Sequence, residues 1–348
     1  MNDTINLKTA RIFKEIQQKN LKLERSEGFD HSEVHKVLSQ NSNEIVGHWL
    51  KFQQAWTDNA YKTFKDFDTY LILIYLARKV FSNYADKFTY FSMEEFYSIK
   101  EVMIEKINLI EISKDLGVPK ETIRRKINFL KENSAIYRKG KKIYVNLDKV
   151  QYQKPITSIK NISIFLSKIS TILSKQDWFG KKIEDEVIEE FIKKYFTICW
   201  FQFFRLQIPY IARHRKTFGD IESWRVWGSI GITNYLSLQK EISNKIISNA
   251  DDHEDLFFKI IKHVPETGIN ASSISDISGI PRATVMRKLK HLVKKNYVSK
   301  NSKLQYSLNP KILKLDKNIS RDYHETQKSV SVFATKIFDL MKNSNLQM

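Results

Sequence analysis

Two stretches of this sequence gather cations and hydroxyls at spacings suited to one kind of chemistry, the recognition of a polyanion. In the first, Lys120, Thr122, Arg124, Arg125 and Lys126 fall within two helical turns, and Arg138, Lys139, Lys141 and Lys142 follow around Gly140. In the second, Arg282, Thr284, Arg287, Lys288 and Lys290 are followed by Lys300 and Lys303. A guanidinium reads a guanine edge bidentately, and an amide such as that of Asn128 matches adenine. Ammonium and hydroxyl groups contact phosphate oxygens.

The elements that would position these groups are legible around them. Ile112 and Leu116 share one face of a short helix over 110–117, which Gly117 stops by taking up a left-handed conformation. Val118 fills the turn and Pro119 opens the next helix. There Ile123, Ile127 and Leu130, at i, i+4 and i+7, make a buried stripe, which turns Lys120, Glu121, Arg124, Arg125 and Asn128 outward. Residues 135–145 alternate apolar and polar about a basic turn at Gly140, the pattern of a two-stranded hairpin. The second stretch repeats this. Ile274 and Ile277 precede Gly279, Ile280 fills the turn, Pro281 opens the helix, and Val285, Leu289 and Leu292 form its stripe. Arg282, Ala283, Met286, Arg287 and Lys290 then face outward, flanked by Thr284 and Lys288, and a hairpin over 297–308 turns at Asn301-Ser302.

The recurrence extends further. Residues 62–70 match 216–224, the run around Trp49 pairs with that around Trp200, 117–130 pairs with 279–292, and 161–173 resembles 329–341. Four blocks in one order indicate two tandem copies, over about 44–175 and 195–343. The expected divisions are a polar helical arm (1–43), a helical segment (44–105), a first helix-turn-helix with hairpin (106–150), linking helices (151–194), a second helical segment (195–250), a second helix-turn-helix with hairpin (251–310) and a C-terminal helix (311–348). Thr122/Thr284, Arg125/Arg287 and Lys126/Lys288 are identical between copies and are expected to anchor phosphates. Lys120/Arg282, Glu121/Ala283 and Arg124/Met286 differ, and are expected to read different bases in two non-identical half-sites.

The pattern G-[VI]-P-[KR]-x-T-[IV]-x-R-K-[IL]-x-x-L followed by a basic hairpin resembles the winged helix-turn-helix bacterial transcription regulators of the MarR and IclR type. The resemblance covers about 40 residues in each copy. It implies a mainly α fold of two tandem helical-plus-winged-helix repeats, each wing a short β-hairpin, with double-stranded DNA as partner and transcription regulation as function. Two other readings use the same units: a plasmid replication initiator, and a tandem winged-helix docking module in a chromosome-organising complex. Cations on both second helices and both hairpins argue for DNA over docking.

Composition agrees. Lys and Arg number 58 against 39 Asp and Glu, a net charge of +19 and a pI near 9.6, which favours a polyanionic partner. The single Cys199 excludes an intramolecular disulfide and a cysteine-based zinc site. The apolar runs at 70–77 and 195–212 read as core helices, one too short to span a membrane and the other interrupted by Arg205 and Pro209. No uninterrupted apolar run of a signal peptide opens the chain, so a cytoplasmic, nucleoid-associated location is expected. His31 and His35, with Glu33 between them, read as a solvated helix face rather than a metal site. No phosphate-binding glycine loop or nucleophile elbow is present, and neither enzymatic activity nor a cofactor or metal is expected. Aromatic residues at Trp49, Phe52, Trp56, Tyr61, Trp200, Phe203, Phe204, Trp224 and Trp227 read as helix packing, with a ligand pocket as the alternative and any small-molecule effector unspecified. The stripes Ile162, Phe165, Ile169, Ile172 and Val330, Phe333, Ile337, Leu340 are expected to pair with each other or with a second chain as a homodimer.

Overall fold

Ten glycines and six prolines in 348 residues leave long stretches free to run as helices. A computed structural model of the chain describes residues 28–64, 66–86, 90–104, 107–140, 142–148, 154–176, 181–243, 268–309 and 316–344. Among them it forms thirteen helices and two small antiparallel sheets, so the protein is mainly helical. The first half runs α1 (His31–Gln40), α2 (Ser42–Phe64), α3 (Phe67–Asp86), α4 (Met93–Ser98), β1 (Glu101–Ile104), α5 (Leu109–Leu116), α6 (Lys120–Glu132), β2 (Ile136–Lys139), β3 (Lys142–Asn146) and α7 (Ile156–Ser174). The second runs α8 (Asp185–Lys194), α9 (Phe196–Phe218), α10 (Ile221–Ser243), α11 (Ala271–Ser278), α12 (Arg282–Lys294), β4 (Val298–Lys300), β5 (Tyr306–Leu308) and α13 (Lys317–Asn343).

Eight elements of the first half recur in the same order in the second, while α4 and β1 have no counterpart element among the described residues. Helices α1, α2 and α3 begin at positions 31, 42 and 67, and α8, α9 and α10 each begin 154 residues later (196 − 42 = 154). From Asn108 and Asn270 to the start of the hairpins the spacing is 162 (270 − 108 = 162), and in the last helices it is 168 (330 − 162 = 168). The first-half boundary therefore lies upstream of where the sequence places it. Helix α1 is not a polar arm but the counterpart of α8: Val34 and Leu38 are buried on one, Ile188 and Ile192 on the other. Their low similarity conceals the match. The rest of the expected arm, residues 1–27, lies outside the described residues.

Packing is reciprocal. The second long helix of each half lies on the first long helix of the other, α3 on α9 and α10 on α2. The leading helix of each half lies on the last helix of the other, α1 on α13 and α8 on α7. Each last helix also covers the first long helix of its own half, α7 on α2 and α13 on α9. This arrangement buries Ile162, Phe165, Ile169 and Ile172, together with Val330, Phe333 and Ile337, inside the chain. Leu340 is partly buried against the same core. The stripes read as a dimer seam are thus used internally, and they offer no exposed apolar face to a second chain.

Aromatic side chains dominate the centre. Trp49, Phe52 and Phe165 from the first half meet Phe203 and Tyr210 from the second with ring centroids 5.2–6.0 Å apart, a range that favours tilted and edge contacts. The segment 44–105 is not wholly helical: Glu101–Ile104 forms β1, which pairs with β3 in the register Val102 opposite Val145 and makes the first sheet three-stranded, β1-β3-β2. In the second half Ile269 makes only an isolated bridge to Tyr306 beside β4-β5. Among the described residues no helix is long and apolar enough to cross a membrane.

Candidate nucleic-acid interface

Each half contains the same helix, turn, helix and hairpin, built by the same local bonds. Asn108 caps α5 and Asn270 caps α11 with side-chain oxygens on backbone N–H groups. Gly117 and Gly279 end these helices in the left-handed region, at φ 63° and 65°, where a Cβ would be strained. The hydroxyls of Ser113 and Ser275 each donate 2.7 Å to the carbonyl of the turn residue, Val118 or Ile280. Pro119 and Pro281 stand one position earlier than the sequence suggests, as N-caps with extended ψ near 137° and 136°. Val118, Ile123, Ile127 and Leu130 are buried in the first unit, and Ile280, Val285, Leu289 and Leu292 in the second. Hairpin β2-β3 turns at Gly140 (φ 60°) in the expected place. Hairpin β4-β5 has a longer loop than a turn at Asn301-Ser302, closed by Asn301 donating to the Gln305 carbonyl at 3.0 Å.

The expected contact residues fall into three groups. Lys120, Arg125, Arg138 and Lys142 in the first unit, with Arg287, Lys290 and Lys303 in the second, are exposed and have no ion-pair partner among the described residues. Others are exposed but engaged. Arg124 forms a fork with Glu121, Nη2 to Oε1 at 2.8 Å and Nε to Oε2 at 3.0 Å, which holds the Glu121 carboxyl below its ordinary range. Lys139 donates to both Glu101 oxygens at 2.7 and 2.8 Å and lies over the Tyr137 and Tyr144 rings. Burial opposes the Glu101 charge, but Lys139 and Tyr137 together keep its carboxyl below the usual range. Arg282 donates to Ser272 Oγ at 3.1 Å, and Lys300 lies over Tyr306. Exposed contacts of this kind are worth little. Thr122 and Thr284 are half-buried, and Lys141 lies outside the described residues.

Lys126 and Lys288 form the third group and require a correction. Both flank the buried stripe and turn inward. Lys288 is only 6% exposed, with Nζ 2.7 Å from Asp220 Oδ2 and 3.9 Å from Glu222 Oε2. Lys126 makes the matching ion pair with Asp66. Identity between the halves here reflects a shared structural bond rather than a shared phosphate contact.

Those acids were not singled out by sequence reasoning, although they lie inside the repeated block 62–70/216–224. Each sits at the N-terminus of the long helix on which the second helix of its unit packs: Asp66 accepts from the Asp68 N–H at 3.2 Å, Asp220 from the Ser223 N–H at 2.7 Å. One carboxylate therefore caps α3 or α10 and tethers α6 or α12 to it. Two arginines from the second half hold the turns. Arg215 donates to the Gly117 carbonyl at 2.6 Å and to Asp68 Oδ1 at 3.2 Å. Arg225, 5% exposed, donates to the Ser278 carbonyl at 2.7 Å and the Thr57 carbonyl at 2.9 Å, and pairs with Asp58. Burial pulls the Arg225 guanidinium below its ordinary range and pushes the Asp58 carboxyl up despite the pairing. The carbonyls they bind close α5 and α11, where cations are favoured.

His31 is exposed, but His35 is half-buried with Nδ1 3.3 Å from Ser331 Oγ, so this pair is not a fully solvated face. The one group of three potential metal ligands among the described residues is Glu184, Asp185 and Glu186, in the first turn of α8, where acidic side chains complement a helix N-terminus. The chain matches no protein-family model, no curated protein and no solved structure.

Proposed function

We propose that this chain binds double-stranded DNA through two winged helix-turn-helix units, α5-α6 with β1-β3 and α11-α12 with β4-β5, and acts as a transcription regulator on the nucleoid. The observation that carries the reading is the pair Arg125 and Arg287: equivalent, exposed and without an ion-pair partner among the described residues, each on the second helix of a unit that is followed by a hairpin bearing cations. Insertion of that helix in a major groove puts its N-terminal half against base edges and the hairpin beside the backbone. The differing residues Glu121/Ala283 and Arg124/Met286 then read different half-sites, and one chain supplies both heads.

The test is fluorescence anisotropy on duplex DNA across a salt series, followed by footprinting on genomic fragments selected by the protein. With six or more phosphate contacts, affinity falls by about a thousandfold or more between roughly 50 and 200 mM salt. The footprint then covers two unlike half-sites occupied by one chain. A flat salt response, or a symmetric site occupied by two chains each using one head, overturns the reading.

A further inference from the structure

Where α2 of the first half meets α9, α10 and α13 of the second, the core leaves a largely apolar cavity of about 180 Å³. Trp49, Tyr210 and Trp224 form part of its wall. Four residues of its wall carry buried polar atoms with no hydrogen-bond partner among the described residues: both amide atoms of Gln53, Asn234 Nδ2, Trp227 Nε1 and His214 Nδ1. Gln53 is 3% exposed and Asn234 5%. Buried amides are almost always hydrogen-bonded, and each unmet donor or acceptor is costly. The cavity thus has apolar walls and a set of unused hydrogen-bonding groups.

The quasi-equivalent place in the other half shows that the fold does not require this space. At the 154-residue spacing, Gly228, Gly231 and Asn234 correspond to Ile74, Ala77 and Val80. Those larger or apolar residues line a gap of only about 50 Å³ beside Phe81 and Phe204. The second half is hollowed by small and polar residues where the first is filled. A Cβ added at Gly228 meets no atom within 4 Å.

We propose that this cavity is a binding site for a neutral, mainly apolar small molecule of one or two rings that carries a carbonyl acceptor. Size sets the first limit, since an apolar cavity of about 150 Å³ holds a benzene ring. Charge sets the second. The charged side chains on its wall are committed, Arg225 to Asp58 and two carbonyls, Asp322 to Thr217 Oγ1 at 2.6 Å and to Arg321. Three of the free atoms, Gln53 Nε2, Asn234 Nδ2 and Trp227 Nε1, are donors, and together they call for an acceptor. The site does not depend on the DNA-binding reading.

Tryptophan fluorescence and thermal unfolding of the full chain test it with benzamide, acetophenone and coumarin as neutral carbonyl probes and benzoate and benzylamine as charged matches. At least one neutral probe quenches saturably, at roughly millimolar or lower concentration, and raises Tm, while the charged matches do neither. Gly228→Ile with Asn234→Val, which copies the filled half, leaves a folded chain of equal or higher Tm that no longer binds. Gln53→Leu weakens binding by about tenfold, the loss of one net hydrogen bond. Gly228→Ala is the milder variant should the double substitution fail to fold, and it too weakens binding. Absence of binding by every neutral probe, equal binding of the charged ones, or binding unchanged in the Gly228 variants overturns the proposal.

Discussion

Lys288 on α12 places its Nζ 2.7 Å from Asp220 Oδ2 at the start of α10, and its counterpart Lys126 on α6 pairs with Asp66 at the start of α3. In each half a cation on the second helix of the unit is taken out of solvent by the carboxylate that caps a long core helix. The neighbouring Arg125 and Arg287 remain outside. Adjacent cations on one helix therefore have opposite roles, one holding the unit to the body and the other free for a partner.

That contrast is measurable. Lys288→Met leaves Asp220 and Glu222 close together without their shared cation and costs about 2 kcal/mol of stability by denaturant unfolding, reduced from the fully buried case because the acids retain some water. Lys126→Met, at a more open pair, costs about 1 kcal/mol or less. Neither changes the salt slope of DNA binding. Arg287→Ala leaves stability within about 0.5 kcal/mol and lowers that slope by about 1.

Arg124 tests the division between anchoring and reading. Its fork with Glu121 is exposed on both sides, so a guanine edge is free to replace the carboxylate. Arg124→Ala weakens binding to the preferred site by roughly ten- to a hundredfold and relaxes preference in one half-site only. Equal weakening on every duplex would make Arg124 a phosphate contact.

Arg225 ties α2 of the first half to the end of α11 through Asp58, the Thr57 carbonyl and the Ser278 carbonyl. Arg225→Met strands a partly buried carboxylate and two carbonyls, and lowers stability by about 3–5 kcal/mol. Adding Asp58→Asn recovers a large part of this. A double-mutant cycle without coupling between the two positions would refute the pairing.

Acid should weaken the protein through His214. Its ring stacks on Trp224 with centroids 5.1 Å apart, and burial beside Arg213 pushes its pKa down to about 3. The folded chain keeps this imidazole neutral, while the unfolded chain protonates it near pH 6.5. The unfolded state then binds more protons, so stability falls as pH drops below about 6.5, by up to about 1.4 kcal/mol per pH unit, until the folded group also protonates near 3. His35 and His48, lowered chiefly by burial, act in the same direction. His214→Phe keeps the aromatic stack and should flatten the curve between about pH 4 and 6. An unchanged curve would place the acid sensitivity elsewhere.

Much of each candidate reading unit was legible because its information is local. Stripes such as Ile123, Ile127 and Leu130 are set by the 3.6-residue period, Gly117 and Gly279 by the demand for a left-handed residue, and the first hairpin by alternation about Gly140. Those signals need only neighbours in the chain. Tertiary structure decided what depends on distant partners. The helical period sets Arg125 and Arg287 opposite the buried stripe and Lys126 and Lys288 at its flank, but whether a flanking lysine faces water or core rests on an acid some sixty to seventy residues away. The kinship of α1 with α8 is carried by two buried positions in each, Val34 and Leu38 against Ile188 and Ile192, too few to read without their shared packing. The apolar stripes of α7 and α13 predicted burial but not against what, and a hydrophobic face is non-directional, so only the reciprocal packing of the halves chose the chain's own helices over a second chain. The hollow beside Gly228 likewise exists only where α2, α9, α10 and α13 converge and one of them lacks a side chain to fill the gap.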